Sequence, residues 1–505
     1  MSEQTRTRVP QILFWFAIFL LTATSLAGLV EPTYMLLRRI PEGYNEGWNA
    51  YWARAAWQGE VLYPSPGDAI SNNYPPLSFY IVGALGRLIG DDIFAGRIIS
   101  ELSLLALVGS IWCWLRATGI PGRIAVFGST LFLAIFISFG SEYVGSDDPQ
   151  VLAHALVIAG ATILWRFDFS RRSVIFGGLL IVFGVLTKHL LLPVPIALTA
   201  WLALYRRNQL GPWLLTATMA GLVAIALLWL SFGPVFFHDL LSSRVYMRGR
   251  IVSHARDAWG EFGWLLILAS SAFLPLIRWD ASNALRRFAA WALLYIAAAV
   301  VIGCLAAGGK GVERNAFFDT LIASTLAVSA GTSYVIEQLK SARNHTASLA
   351  GVTSMIVATC GVMVACRAAG ELQSQWREIE QADAREAQTN VLVQTIRDLG
   401  SDATACEDLS LCYWAHVRFK IDFFNFGQKL ATGALPPESC RRVFSPASVR
   451  LIQSSTSVAG MHPTISILLT RQCNEELRQA YVPVASSLAG TIFRPSSAAS
   501  AQATP

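Results

Sequence analysis

The sequence predicts an all-α polytopic membrane protein that ends in a small α/β domain. Three observations predict it. Of 505 residues, 54% are hydrophobic and 14% charged, where an ordinary soluble domain carries about 25% charged residues. Apolar runs of about 20 residues recur along roughly the first 370 positions, each able to cross a hydrocarbon core of about 30 Å. Near Ala369 the composition turns polar, and no later run is long enough to span. Together with a mean hydropathy of +0.47, these features exclude a disordered chain, a coiled coil and an ordinary cytosolic enzyme. The net charge of +6 is modest, and no basic run interleaved with aromatics marks a nucleic-acid surface.

About eleven spans are expected, at 11–30, 94–115, 121–139, 149–166, 173–188, 189–205, 211–231, 262–277, 289–306, 315–338 and 348–368. Segments 44–58 and 76–90 are too polar or too short to span. They read as interfacial helices lying on the bilayer. Arg6 and Arg8, Arg116 and Arg123, Arg166 to Arg172, Arg206 and Arg207, Arg278 to Arg287, and Lys340 and Arg343 fall at alternate turns. With a cytoplasmic amino terminus all of them lie inside. The odd number of spans then puts 369–505 outside. Residues 11–27 also fit a signal peptide ending at Ser25-Leu26-Ala27, and cleavage there leaves the sidedness unchanged.

The chain divides into a membrane part, 1–368, a soluble α/β part, 369–490, and a tail, 491–505, whose Ser, Ala, Pro and Thr predict disorder. Residues 369–505 carry 12 Lys and Arg against 13 Asp and Glu, and the membrane part 27 against 20. A polar helix is expected near 371–399, with short apolar runs at 403–405, 443–452 and 464–470. Cys406, Cys412, Cys440 and Cys473 lie in this part. An oxidising compartment allows disulfides there. Three pairings are possible, and free buried thiols are the alternative.

Basic residues also gather outside: Arg54, Arg87, Arg97, Lys188, Arg244, Arg248, Arg250, Arg256, Lys310 and Arg314. Cations there suit an anionic headgroup or phosphate. The first external loop is the most informative segment. It reads Tyr44-Asn45-Glu46-Gly47-Trp48-Asn49-Ala50-Tyr51-Trp52, then Gly59-Glu60-Val61-Leu62-Tyr63, Tyr74-Pro75-Pro76-Leu77 and Arg97-Ile98-Ile99-Ser100.

An acid after the first span, an aromatic helix, Gly-x-x-Leu-Tyr, Tyr-Pro-Pro-Leu and Arg-x-x-Ser together resemble the GT-C membrane glycosyltransferases, nearest the protein O-mannosyltransferase and lipid A aminoarabinose transferase type. The resemblance covers 10–200 by motif and 200–370 by topology. It implies a GT-C-like membrane part in a bacterial inner membrane. It also implies a polyprenyl-phosphate-linked sugar donor and transfer to a lipid, glycan or protein acceptor on the external face. The usual Asp-Glu of that family is Asn45-Glu46 here, so the base is expected at Glu46; an acid at a helix start, steadied by the dipole, is its bland reading. An acid in the later loop is implied at Asp147 or Asp148. Asp148 before Pro149 also reads as a helix cap.

The resemblance places the carrier phosphate at Lys188, where snorkelling is the other reading. Arg244, Arg248, Lys310 and Arg314 are further phosphate ligands, or hold anionic lipid nonspecifically. Tyr44, Asn45, Trp48, Tyr74, His154 and His189 are expected around the substrate. The aromatics fit equally as interface anchors, and His154 as a packed intramembrane histidine. Arg97 and Glu101, four apart, are expected to pair, and Asp319 to meet Arg314 or Asn315. The expected reaction is direct inverting attack by an acceptor hydroxyl, with phosphate leaving. No cofactor is expected. A divalent cation is not favoured, because Asn45 leaves few carboxylate ligands. Two rival classes are a flippase for a lipid-linked sugar and an external glycan polymerase or ligase.

Overall fold

The computed structural model describes residues 3–242, 244–277, 281–341, 346–400, 403–455, 465–487 and 490–496. The chain opens with α1 (Glu3–Met35), α2 (Tyr44–Gln58), α3 (Leu77–Ile89), α4 (Asp92–Ala117) and α5 (Gly122–Phe139). It continues through α6 (Gln150–Arg166), α7 (Arg171–Thr187), α8 (Pro193–Tyr205), α9 (Arg207–Leu240) and α10 (Arg248–Ala269). After the short α11 (Leu274–Ile277) come α12 (Asn283–Ala307), α13 (Phe318–Ser341) and α14 (Thr346–Gly400). Local chemistry sets the ends. Asp91 caps α4 by accepting from the amides of Ile93 and Phe94, Ser170 and Ser282 cap α7 and α12, and Pro193 opens α8. The two expected surface helices, α2 and α3, both stop at a left-handed glycine (Gly59, φ 73°; Gly90, φ 85°).

Each expected span coincides with helix. Among the described residues six helices are long and apolar enough to cross a bilayer: Gln11–Met35, Asp92–Ala117, Gly122–Phe139, Arg207–Leu240, Arg248–Ile277 and Asn283–Ala307. On α9, Leu215, Leu222, Trp229 and Leu230 all stand exposed. A helix apolar all round belongs in hydrocarbon. The protein is a multi-pass membrane protein. Arg278, Arg343 and Ser243 lie outside the described residues.

Three expectations change. The boundary between the fifth and sixth spans is a turn at 188–192, not a single step, because Pro193 delays the next helix. The division at 368/369 falls inside α14, whose 55 residues run unbroken from apolar to polar sequence. Ala, Glu, Gln and Arg there are strong helix formers, and only hydropathy changes. The tail is not free from 491: Gly490–Pro495 is a strand, and only 497–505 lie outside the described residues.

Beyond α14 the small domain runs β1 (Thr404–Cys406), α15 (Leu409–Trp414), α16 (Phe423–Ala431), α17 (Ser439–Val443), β2 (Leu451–Ser454), α18 (Arg471–Ala480), β3 (Tyr481–Ser487) and β4 (Gly490–Pro495). The sheet order is β1-β2-β4-β3, parallel between β1 and β2 and antiparallel elsewhere. Disulfides join Cys406 to Cys412 and Cys440 to Cys473.

This domain and the loop after α1 share one core. Trp48, Tyr51, Trp52, Tyr63 and Phe79 pack with Leu409, Leu411, Tyr413, Trp414 and Val417. The approach is close enough to require glycine at 47, because a Cβ there would collide with the Leu409–Ser410 backbone. Polar ties reinforce it: Tyr413 donates to Asp92 Oδ2 (2.7 Å) and Trp414 Nε1 to Asp91 Oδ2 (3.0 Å).

Candidate functional site

A cavity of about 460 Å³ lies where the α1–α4 loop, the α7–α8 turn, the segments before α10 and after α12, and the start of α16 meet. One wall is aromatic. Trp48 meets Tyr74 edge-on at 5.0 Å, and Tyr44 faces Phe424 at 6.1 Å. The other wall is cationic and holds Lys188, His189, Arg244 and Lys310. Two backbone hydrogen bonds, Met247 N to Gly308 O (2.8 Å) and Lys310 N to Val245 O (2.9 Å), hold the Arg244 and Lys310 segments side by side.

The cations differ in what already satisfies them. Lys188 Nζ donates to Tyr74 Oη (2.9 Å) and to Asp148 Oδ1 (3.3 Å). Arg244 lies over the Phe424 ring at 5.0 Å, and its buried Nη1 has no hydrogen-bond partner among the described residues. Burial pulls the guanidinium below its ordinary pKa, while the charge of Asp422 opposes that shift. Lys310 makes no ion pair among the described residues. Nδ1 of His189 is likewise unpartnered.

The structure thus gathers Tyr44, Asn45, Trp48, Tyr74, Lys188, His189, Arg244 and Lys310 around one cavity. It places the other expected residues elsewhere. Glu46 is 1% exposed and does not line the cavity. Both of its oxygens are taken: Oε1 by Arg97 Nε (2.7 Å) and the Asp147 amide (3.2 Å), Oε2 by Arg97 Nη2 (2.6 Å) and the Glu42 amide (3.0 Å). Arg97 therefore pairs with Glu46 and not with Glu101, which instead accepts from Thr33.

Asp147 is buried, its Oδ2 has no partner among the described residues, and it packs on Gly96. Burial, with Glu46 next in effect, holds its carboxyl well above the usual range. Asp148 sits just behind the lining. Its Oδ1 accepts from the Gln150 amide (2.8 Å), as a cap does, and its Oδ2 accepts from Asn45 Nδ2 (3.2 Å).

Arg248, the first residue of α10, and Arg314 are exposed and do not line the cavity; Arg314 Nη1 reaches Phe139 O at 3.5 Å. His154 is 2% exposed and sits in the bundle, with Nδ1 2.8 Å from Gln150 O and Nε2 3.4 Å from Asp319 Oδ2. Asp319 accepts from Tyr295 rather than meeting Arg314 or Asn315. An intramembrane carboxylate needs close donors, and α12 supplies one that the local spacing around Asp319 does not show.

Sequence reasoning missed the contribution of the small domain. Phe424 and Asn425 line the cavity. Asp422, 0% exposed, accepts from Tyr44 Oη (2.5 Å) and Trp48 Nε1 (2.9 Å). Its one sequence signal was that of a helix cap, Asp before Phe-Phe-Asn, which says nothing about a site. Among the described residues no three His, Cys, Asp or Glu side chains are grouped to hold a metal ion.

No protein-family model matches the chain, and no curated protein matches it either. Solved structures do. The chain is similar to the crystal structure of ArnT from Cupriavidus metallidurans in the apo state, with 12% identity, TM-score 0.60, and coverage of 97% of this chain and 99% of that one. It is similar to the same protein bound to undecaprenyl phosphate, with 14% identity, TM-score 0.57 and the same coverage. At these identities the likeness is one of fold. The chain has the GT-C fold along nearly its whole length, beyond the stretch where its motifs carry the resemblance.

Proposed function

We propose that the cavity binds a polyprenyl-phosphate-linked sugar and that the protein transfers the sugar to an acceptor on the extracytoplasmic face of a bacterial inner membrane. Arg244 carries this reading. A guanidinium whose buried Nη1 has no partner among the described residues, beside Lys310 and Lys188, is costly without an anion. The fork of an arginine matches phosphate. At the cavity edge Leu190 and Leu305 are exposed and give an apolar exit suited to a prenyl chain. The aromatic wall suits a sugar face. That a protein of the same fold was crystallised with undecaprenyl phosphate supports the carrier class.

In this reading Asp148 is the base. Its Oδ2 faces Asn45 at the cavity wall, and an acceptor hydroxyl replaces the amide there. The hydroxyl passes its proton to Oδ2 while its oxygen bonds to the anomeric carbon. The anomeric bond to the phosphate oxygen breaks, and its electron pair leaves on the phosphate. Attack opposite that bond inverts the carbon. Arg244 and Lys310 stabilise the charge that builds on the leaving phosphate. Lys188 holds Asp148 in place through Oδ1 (3.3 Å). Glu46, expected as the base, braces the loop through Arg97. Because Arg97 occupies that carboxylate, the reading assigns no metal to it.

The test uses purified protein in nanodiscs with a pool of polyprenyl-phosphate sugars. Arg244→Ala is expected to weaken carrier binding by about tenfold to a hundredfold. Asp148→Asn is expected to keep binding and lose turnover by about a hundredfold or more. Wild-type protein that binds no polyprenyl phosphate overturns the reading. Binding with translocation and no new glycosidic product replaces it with a flippase.

A further inference from the structure

We propose that Asp422 of the small domain is a positioning residue for this cavity, so that the carrier-sugar site is complete only when the domain is docked. The inference rests on the glycosyl-transfer reading for its kinetic consequence but not for its geometry. Asp422 is buried at the start of α16 and belongs to a different part of the chain from Tyr44 and Trp48, which it holds. Oδ1 accepts from Tyr44 Oη (2.5 Å) and from the Asn425 amide (2.9 Å). Oδ2 accepts from Trp48 Nε1 (2.9 Å) and from the side-chain amide of Asn425. Tyr44, Trp48 and Asn425 all line the cavity, so one carboxylate fixes three lining side chains from two segments almost 380 positions apart.

The contact continues on both sides. The Phe424 amide donates to Tyr44 Oη (3.1 Å), and the Asp422 amide donates to Ala69 O (3.0 Å). Gln428 Oε1 accepts from the Val245 amide (3.0 Å), next to Arg244. Four donors on one buried carboxylate make a preorganised bracket. Without it, the Tyr44 hydroxyl and the Trp48 indole N–H lose their acceptor, and both rings are freed to turn. Asp422 also supplies the negative charge that favours the charged form of Arg244. It therefore bears on both walls of the cavity without touching the reacting atoms.

Full-length protein in nanodiscs is compared as wild type, Asp422→Asn, Asp422→Glu, Tyr44→Phe and the Asp422→Asn/Tyr44→Phe double variant. Two readouts are taken: KM and kcat for the polyprenyl-phosphate sugar, and hydrogen–deuterium exchange over residues 44–58. Asp422→Asn is expected to raise KM about tenfold, the change that accompanies loss of a hydrogen bond to a charged group. It is also expected to speed exchange in 44–58, with Asp422→Glu recovering part of both. The double variant should fall short of the product of the single effects. A KM and exchange rate unchanged in the properly folded Asn variant overturn the proposal, as does full additivity. A wild type without turnover sinks the glycosyl-transfer reading, and exchange and its coupling to Tyr44 then decide the role of Asp422 alone.

Discussion

Arg97 of α4 holds Glu46 of α2 in a fully buried ion pair, with Nε to Oε1 at 2.7 Å and Nη2 to Oε2 at 2.6 Å. The guanidinium also donates to three carbonyls at and just beyond the end of α1: Met35 (2.9 Å), Arg38 (2.9 Å) and Ile40 (2.6 Å). One side chain thus ties the end of α1, the start of α2 and α4 together. Removing one partner of such a pair leaves an uncompensated buried charge, at a cost of about 3–5 kcal/mol. Glu46→Ala is expected to lower the stability of the detergent-solubilised protein by that amount, and Glu46→Gln by less. Turnover per folded molecule of Glu46→Gln should stay within a few-fold of wild type. A Gln variant that melts like wild type yet transfers no sugar would return Glu46 to the chemistry.

The arginines before and at the start of α10 separate cleanly. Arg244 lines the cavity with Nη1 unpartnered among the described residues, whereas Arg248 is exposed outside it. Arg244→Ala is expected to weaken binding of a polyprenyl phosphate by about tenfold to a hundredfold, the worth of a charge-assisted hydrogen bond. Arg248→Ala should change binding less than about twofold, and high salt should erase even that. Equal losses in the two variants would point to diffuse attraction of anionic lipid instead of a built phosphate site.

How much of this was legible beforehand follows from the range of each interaction. The extents of α2 and α3 were, because Trp, Tyr and terminal glycines are local signals: the two helices fall within a residue of 44–58 and 76–90. The cavity residues of the first loop and of the α7–α8 turn were too, because motif and charge mark them one at a time. The partner of Arg97 was not. Spacing of four favours Glu101, but that rule describes exposed helix faces worth a few tenths of a kcal/mol. A buried guanidinium seeks acceptors for all its donors, and the stretch from Met35 to Glu46 offers three carbonyls and a carboxylate. Asp422 was hidden for the same reason. Nothing near it in sequence shows that Tyr44 Oη and Trp48 Nε1 will arrive from the other end of the chain.

The two disulfides of the small domain close loops of different length, with sequence separations of 6 for Cys406–Cys412 and 33 for Cys440–Cys473. Chain-entropy reasoning assigns about 2 kcal/mol to the shorter and about 3–4 kcal/mol to the longer. Cys440→Ser/Cys473→Ser should therefore lower the melting temperature more than Cys406→Ser/Cys412→Ser. The shorter loop, however, carries Leu409 and Ser410, which press on Gly47 of α2. Its loss should speed hydrogen exchange in 44–58, and loss of the longer one should not. The check is melting and exchange of both double variants. The reverse assignment of the exchange effect would mean that α2 is not braced through the Cys406–Cys412 loop.

Glu42, in the connection between α1 and α2, makes stability depend on pH. Its Oε1 is buried without a partner among the described residues, and burial pushes its carboxyl up to about 8, against the pull of Arg97. In the unfolded chain the same group ionises near the ordinary value of 4.5. Between those two values the folded protein holds a proton that the unfolded chain has released, so stability falls as pH rises through the window and levels off above about 8. Glu42→Gln removes this contribution. Melting curves at pH 5, 6.5 and 8.5 should show wild type losing stability toward alkaline pH and the variant losing less. Some slope should persist in the variant, because burial also raises Asp147 and lifts Asp408 to about 7. Parallel pH curves for the two proteins would show that Glu42 does not titrate in this window.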